Sequence, residues 1–87
     1  MPYVIAVYDV DQKRVAKMLR LFRRYLHWVQ NSVFEGDLTE SQLAALRTDA
    51  EKTMGDGGSV LIYRLRDERY HERIVLGTER GHRSRML

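Results

Sequence analysis

Apolar and polar positions follow two different periods in the first third of this chain. Residues Pro2 to Val10 are nearly all apolar or β-branched, a pattern typical of a strand inside a sheet. From Asp11 to Leu26 the apolar residues recur at helical spacing, with Asp11 as the predicted N-cap. The helix positions expected to face the core are Val15, Met18, Leu19, Phe22 and Leu26. A strand followed by an amphipathic helix is therefore the predicted start of the fold.

The middle of the chain predicts extended structure and then a second helix. The segment from His27 to Asp37 contains several strand-forming residues and predicts either one kinked strand or two short ones. Thr39 and Gln42 match a capping box, which marks the start of a helix. The apolar positions of this helix are Leu43, Leu46, Ala50 and Met54. We expect the helix to end at the glycine-rich turn of residues 55–58.

The last third of the chain predicts two extended segments separated by a charged connection. Ser59 to Leu65 has the composition of a strand, whereas Arg64 to Glu72 is charged and is expected to break the strand pattern. Arg73 to Leu76 is a short final segment that pairs either with the sheet of its own chain or with the sheet edge of another subunit. Residues 78–87 are polar and basic and predict a flexible tail. The order of elements favours one α+β domain over residues 1–87, a ferredoxin-like βαββαβ sandwich.

Composition narrows the classes of protein to consider. The chain has 87 residues and no cysteine, which excludes disulfides, thiolate zinc sites and cysteine nucleophiles. The N-terminal region does not match a signal peptide, and no apolar run approaches the roughly 20 residues of a membrane-spanning helix. We therefore expect a soluble cytoplasmic protein with one small core that self-association would stabilise further.

Positive charge is concentrated in the first predicted helix. Between Gln12 and Leu26 there are six cations and no acid, whereas acids dominate residues 35–56. Helical spacing places four of the cations in a stripe opposite the apolar side, here called the cationic stripe: Lys13, Lys17, Arg20 and Arg24. Arg14 and Arg23 flank it. A solvated helix face normally mixes both signs of charge, so the stripe favours contact with a nucleic-acid backbone over plain solvation or membrane binding.

Asp9 is the acid that neither caps a helix nor belongs to an evidently solvated face. A carboxylate at a strand end either accepts hydrogen bonds from nearby backbone amides or binds a metal, and the sequence leaves both open. Mg²⁺ commonly takes one or two protein carboxylates together with waters and substrate phosphates. One Asp per chain therefore supplies only the smallest number of protein ligands. Two chains that meet about a two-fold axis near Asp9 would supply two carboxylates to one ion.

Two further candidates follow the first helix. Ser32 is a candidate ligand for a phosphate or a metal-bound water, with a hydrogen bond inside the sheet as the alternative. Phe34 either belongs to the core or stacks on a base. The three histidines are scattered without the spacing of metal ligands, which favours no histidine-based mechanism.

Several of these segments together resemble a known family. The matching segments are the apolar strand ending in Tyr8-Asp9, the tripeptide Arg14-Val15-Ala16, the motif Gln30-x-Ser32-Val33-Phe34-Glu35-Gly36, the leucine-rich helix and the strand from Ser59 to Leu65. In order and spacing they look like the Cas-two family of small CRISPR-associated adaptation proteins, over nearly the whole chain to Gly77. Trp28 departs from the pattern of some relatives, which carry an arginine at that position.

The resemblance implies a ferredoxin-like homodimer whose extra C-terminal strand packs on the partner subunit. It also implies a Mg²⁺-dependent endonuclease, with Mn²⁺ as a substitute, that cuts RNA or DNA and partners the CRISPR integrase in spacer acquisition. Asp9 matches the metal-binding catalytic aspartate, and Arg14 matches a basic residue early in the first helix. Ser32 and Phe34 match the serine and the aromatic residue of the second motif. The alternatives are a non-catalytic DNA-binding scaffold for that integrase and a related toxin-type mRNA interferase.

Overall fold

The structure of this chain is a computed structural model that describes residues 1–66 and 69–77. In chain order the elements are β1 (Tyr3–Asp9), α1 (Gln12–Tyr25), β2 (His27–Gln30), β3 (Val33–Asp37), α2 (Glu40–Met54), β4 (Ser59–Arg66) and β5 (Arg69–Gly77). The predicted tail of residues 78–87 lies outside the described residues. None of the helices in the described part of the chain is long and apolar enough to cross a membrane.

The strands form one antiparallel sheet in the order β2-β3-β1-β4-β5. The first four strands and the two helices have the predicted ferredoxin-like arrangement, and β5 adds a fifth strand at the edge. β5 pairs with β4 of its own chain along its full length, from Arg69 to Gly77. Pairing within the chain is therefore the alternative that the structure adopts for these residues, and packing of this strand on a partner subunit stays a prediction.

Within the charged stretch of residues 64–72, the described residues 64–66 and 69–72 belong to the sheet, so the expectation that they break the strand pattern is wrong. β4 continues to Arg66 and β5 already begins at Arg69. An edge hairpin exposes much of its surface to water, so it tolerates charged residues that a central strand would not. Arg64 also forms an ion pair with Glu40 in the first turn of α2, which gives one of these charges a partner at the edge of the helical layer.

The segment from His27 to Asp37 forms two short strands rather than one kinked strand. Asn31 allows the turn between them because it adopts a positive φ of 44°, which asparagine tolerates better than most residues. The indole Nε1–H of Trp28 donates a hydrogen bond of 2.9 Å to the carbonyl oxygen of Asn31 and ties β2 to this turn.

Both helices pack on one face of the sheet, here called the helix face. Residues of β1 alternate, with Val4, Ala6 and Tyr8 buried against the helices and the residues between them half-buried on the opposite face. The rings of Tyr8, Phe22 and Phe34 form the aromatic centre of this core, with centroids 5.1 to 5.9 Å apart. The edge-to-face geometry of Phe22 with the other two rings is a favourable one for aromatic side chains.

The core side of α1 is rotated relative to the prediction. Val15 is 41% exposed, whereas Leu21, which was not assigned to the core, is 3% exposed. The side chains of α1 turn toward α2 because the helices are neighbours, and the hydroxyl of Tyr25 donates to a carboxylate oxygen of Asp49 at 3.3 Å. The other predicted core positions of α1 are confirmed, with Met18, Phe22 and Leu26 buried and Leu19 partly buried.

The two helix starts differ in how they are capped. The capping box of α2 is confirmed: the Gln42 amide donates to the Thr39 hydroxyl oxygen at 3.0 Å, and the Thr39 amide donates to the Gln42 side chain at 2.8 Å. Asp11 occupies the N-cap position of α1 as predicted, but its side chain makes no capping hydrogen bond. The first bond there is the Arg14 amide donating to the backbone oxygen of Asp11 at 2.8 Å.

Candidate metal and nucleic-acid site

Asp9 is the last residue of β1 and is exposed to solvent. Because Tyr8 is buried in the core, strand alternation places Asp9 on the opposite side of the sheet, here called the open face. Its partner across the sheet is Ser59, the first residue of β4. Asp9 therefore lies at the end of a central strand and in reach of solvent. A carboxylate in this position can bind a metal ion that also contacts a phosphate.

A glycine-rich turn holds the backbone around Asp9. Gly58 has a φ of +99°, and a Cβ atom there would overlap the carbonyl oxygen of Asp9. Gly57 lies against the side chain of Asp11, whose carboxylate oxygens would be 3.7 to 3.8 Å from a Cβ at that position. The turn between α2 and β4 therefore packs directly on the loop between β1 and α1. The sequence predicts only a turn at residues 55–58, and the paired glycines at 57 and 58 are its one signal for this close approach.

The residues around Asp9 supply few ligands for a metal ion. Within residues 1–66 and 69–77 no group of three or more histidine, aspartate or glutamate side chains is placed to hold an ion. One exposed carboxylate agrees with the chemistry of Mg²⁺, which keeps several waters and uses substrate phosphates as further ligands. A second copy of Asp9 from another chain would raise the number of protein carboxylates to two, the upper end of what such an ion commonly takes.

The cationic stripe lies on the outer surface of the helical layer. Lys13, Lys17, Arg20 and Arg24 are all exposed, as is the flanking Arg23. Four of these cations border an open depression of about 650 Å³ together with Leu21: Lys17, Arg20, Arg23 and Arg24. Because α1 itself contains no acid, its own exposed charges are all positive. The concentration of charge on one helix face suits a polyanion backbone.

The structure does not bring Asp9 and the whole cationic stripe together in one chain. Asp9 lies on the open face, whereas the stripe faces outward from the helices on the other side of the sheet. Lys13, in the first turn of α1, is the stripe residue nearest to Asp9 along the chain. A nucleic-acid strand that contacts both Asp9 and the cationic stripe must therefore pass around the end of the molecule or cross onto a second subunit.

Arg14 is placed differently from the stripe. It is half-buried, and its guanidinium Nη1 donates a hydrogen bond of 3.1 Å to the carbonyl oxygen of Thr53. The same guanidinium lies against Gly55 at the C-terminal end of α2. Because the last carbonyls of a helix carry partial negative charge, a cation there stabilises the helix end. The structure thus gives Arg14 a contact that joins the two helices.

Ser32 lies in the turn before β3, and Phe34 is the second residue of β3, which pairs with β1. The backbone oxygen of Ser32 accepts a hydrogen bond of 3.3 Å from the Tyr8 amide, and its side chain is half-buried. Phe34 is 0% exposed and packs against Tyr8 and Phe22. It occupies the core position that the sequence analysis held as one alternative, and its ring has no exposed face on which a base can stack. The expectation that Phe34 binds nucleic acid directly is therefore corrected.

The open face of the sheet is only partly polar. The half-buried Val7 and Leu61 and the exposed Val75 are aligned across three strands, and Ile5 and Tyr63 are paired in the neighbouring row. Tyr3 lies at the end of this face, where burial, a hydrogen bond with Glu35 and the charges of Glu35 and Asp37 raise its pKa above 10.0. In the described chain no helix covers this face, which distinguishes it from the helix face.

Similarity to known proteins extends over most of this chain. A family model described as CRISPR associated protein Cas2 matches residues 1–73. A protein of Dictyoglomus turgidum named CRISPR-associated endoribonuclease Cas2 is 43% identical over 86 residues, which cover 98% of this chain and 99% of that protein. A protein of the same name from Methanothermobacter thermautotrophicus is 47% identical over 80 residues, or 91% of this chain and 88% of the relative.

Solved structures show the same fold. One, described as a crystal structure of cas2, superposes with a TM-score of 0.73 at 36% identity and covers 99% of this chain and 98% of its own. A hypothetical protein from Thermus thermophilus superposes with a TM-score of 0.70 at 26% identity, over 84% of this chain and 98% of its own. The family match, the relatives and the shared fold lead to one conclusion: this chain belongs to the CRISPR associated protein Cas2 family.

Proposed function

We propose that this chain is a Mg²⁺-dependent endonuclease of CRISPR spacer acquisition that hydrolyses phosphodiester bonds in RNA or DNA. The observation that carries the proposal is the exposed carboxylate of Asp9 at the end of the central strand β1, on the open face of the sheet. The names of its relatives, which are called endoribonucleases, support the same activity. The uniformly positive outer surface of α1 supplies the affinity for the backbone of the substrate.

The residues of the chain have separate roles in this proposal. A bound Mg²⁺ ion, with Mn²⁺ as a substitute, supplies Lewis-acid stabilisation of charge on the phosphoryl oxygens. Asp9 holds the ion, and the turn at Gly58 fixes the backbone that carries this carboxylate. The cationic stripe binds flanking phosphates and holds the strand in place.

We further propose that the active unit is a homodimer formed through the open face. This face carries the aligned side chains of Val7, Leu61 and Val75, which no helix of the described chain covers. Burial of such an apolar row is favourable, at roughly 25 cal/mol per Å² of apolar surface. Because Asp9 lies on the same face, a two-fold axis through it would bring two copies of Asp9 toward one ion.

A cleavage assay with matched variants tests the endonuclease. Labelled RNA and DNA are incubated with the purified chain and Mg²⁺ or Mn²⁺, and the same assay is run on Asp9→Ala and Asp11→Ala. We expect the Asp9→Ala variant to lose more than about 100-fold in rate, because a metal ligand matters at least as much as the groups that orient it. Asp11→Ala is the control, since Asp11 is an exposed acid only two residues after Asp9. An Asp9→Ala variant that cuts as fast as the parent would show that the site is wrong.

The second candidate function is a non-catalytic DNA-binding scaffold for the CRISPR integrase. It is favoured by the small number of grouped metal ligands within residues 1–66 and 69–77, combined with a cationic stripe whose four residues are all exposed. In a cell that acquires spacers, this function predicts that Asp9→Ala spares acquisition while combined charge reversal at Lys17, Arg20 and Arg24 abolishes it. Acquisition that survives the reversal would remove the scaffold role from this helix.

A further inference from the structure

Trp28 is the one tryptophan of the chain, and its side chain is 54% exposed. It belongs to β2, the edge strand that follows α1 after a single residue, Leu26. Its cross-strand partner is Phe34, which is buried under the helices. Paired residues of neighbouring strands project from the same face, so Trp28 lies on the helix face, at the sheet edge beside α1.

The orientation of the indole is fixed from within the hairpin. Its Nε1–H donates to the carbonyl oxygen of Asn31 at 2.9 Å, so its only hydrogen-bond donor is already used. What it presents to solvent is therefore the apolar ring system. A ring that is already held in place and still exposed loses little further conformational entropy when a second ring stacks on it.

Cations of α1 lie close to Trp28 along the chain. Trp28 follows Arg24 by four residues, so their Cα atoms are at most about 14 Å apart. That distance corresponds to roughly four nucleotide steps at the spacing of a duplex strand. Arg23 and Arg24 also border the open depression on α1, and α1 contributes no acid to this surface. An exposed aromatic ring a short distance along the chain from several exposed cations is the combination that single-stranded nucleic acids bind.

We propose that Trp28 stacks on an unpaired base of a nucleic-acid strand whose phosphates lie on Arg23, Arg24 and the cationic stripe. This inference rests on the proposed nucleic-acid function. Bases inside a duplex are stacked on each other and offer no free face, so Trp28 contributes only where the strand is single-stranded or frayed. It therefore makes the protein prefer strands with unpaired bases, while the cations bind paired and unpaired strands alike.

Intrinsic fluorescence of the full chain tests the proposal directly, because its tryptophan signal comes from Trp28 alone. The probes are a 12-nucleotide oligouridine, the matching oligothymidine, a blunt duplex of equal length and an abasic strand with the same phosphates. We expect both single strands to quench the fluorescence on binding and the duplex and abasic strand to bind without quenching. Absence of quenching by bound single strands would overturn the proposal.

Affinities of variants for the same probes supply the second readout. Loss of one stacked base is expected to weaken binding of Trp28→Ala to single strands by about tenfold, with Trp28→Phe retaining most of the affinity. Binding of the duplex and of the abasic strand should be the same for Trp28→Ala and the parent. Val29→Ala is the control, because Val29 is an exposed apolar neighbour on the same strand.

The outcomes separate the inference from the function on which it rests. A parent chain that binds none of the probes at low salt removes the proposed function itself. A parent that binds them, with Trp28→Ala weakened equally toward all four probes, identifies Trp28 as a structural support of the hairpin and overturns the stacking proposal. Thermal melting of Trp28→Ala records whether the hairpin has been weakened.

Discussion

At the scale of single residues, the backbone contact between Gly58 and Asp9 is the feature on which the candidate site depends most. Gly58 has a φ of +99°, in a region that side chains rarely adopt, and it leaves no room for a Cβ beside the Asp9 carbonyl oxygen. Gly57, one residue earlier, has ordinary space around it. A side chain added at Gly58 should therefore disturb the backbone of Asp9, whereas one added at Gly57 should not.

We expect Gly58→Ala to lower the free energy of unfolding by more than about 1 kcal/mol, because the new side chain strains the turn and displaces β1. The rate of cleavage should fall as well, since the backbone of Asp9 must move. Gly57→Ala should change stability by less than about 0.5 kcal/mol. Urea unfolding of the two variants and the parent measures the difference, and equal effects at both positions would contradict this role of Gly58.

The buried position of Tyr8 should make the free energy of unfolding depend on pH in the alkaline range. Burial raises the pKa of Tyr8 above its ordinary value of 10.0, so the unfolded chain loses this proton at a lower pH than the folded one. The free energy of unfolding should therefore be unaffected by Tyr8 below about pH 10 and fall as the pH rises from there toward the folded pKa. Tyr8→Phe should show a smaller fall between about pH 8 and about pH 11 in urea unfolding. An unchanged fall would assign the effect to other groups, such as Tyr3.

At the scale of elements, α1 has two kinds of cation. Arg14 points to the C-terminal end of α2 and bonds the Thr53 carbonyl oxygen, whereas Lys17 is exposed on the outer side. Arg14 should stabilise the contact between the helices, and Lys17 should bind a ligand. One helix thus combines a structural cation with a binding surface.

Removal of Arg14 should act on stability. Arg14→Ala is expected to lower the free energy of unfolding by about 1 kcal/mol, the usual worth of one partly buried hydrogen bond. In a domain of this size that corresponds to a drop in Tm of about 4–8 °C. Lys17→Ala is the matched control and should leave Tm nearly unchanged. Similar melting temperatures of the two variants would show that the Thr53 contact contributes little.

The cationic stripe predicts a salt dependence of binding. Each phosphate contact contributes about 0.7 to the slope of log K against log salt for single strands, so combined replacement of Lys17, Arg20 and Arg24 by Gln should reduce that slope by about 2. Arg47→Gln is the control, because Arg47 is an exposed cation of α2, outside the stripe. Titrations of labelled RNA at several salt concentrations measure both slopes. A slope that is equal in the triple variant and the parent would place the phosphate contacts elsewhere.

The elements that could be predicted are those specified by local sequence. The capping box at Thr39 and Gln42 defines the start of α2 without help from the rest of the chain, and the hydrophobic run of β1 identifies the central strand. The length of β5 could not be predicted, since its charged residues are tolerated only because the strand lies at a sheet edge. The buried position of Leu21 and the contact of Arg14 depend on where α2 packs, which periodicity within α1 does not contain.

At the scale of the whole molecule, the two faces of the sheet carry different features. The helix face holds the core and carries the cationic stripe on its outer side, and the open face carries Asp9 and an apolar row. One chain supplies the candidate site with a single carboxylate, that of Asp9. A second subunit on the open face would both cover the apolar row and supply the second carboxylate.

Association through the open face is testable by sedimentation. Leu61→Lys places a charge in the middle of the row formed with Val7 and Val75, and we expect it to shift the chain from dimer to monomer. Val15→Lys is the control, since Val15 is exposed on α1 and lies on the other side of the sheet. A Leu61→Lys variant with the sedimentation coefficient of the parent would contradict this interface.

The measurement that tests the account most directly is the activity of mixed dimers. Parent and Asp9→Ala chains are unfolded, mixed in equal amounts, refolded together and assayed for cleavage with Mg²⁺. If two copies of Asp9 share one ion, only dimers with two parent chains are active, and the mixture should retain about a quarter of the parent activity. Retention of about half would mean that each chain carries an independent site, and the shared carboxylate pair would be wrong.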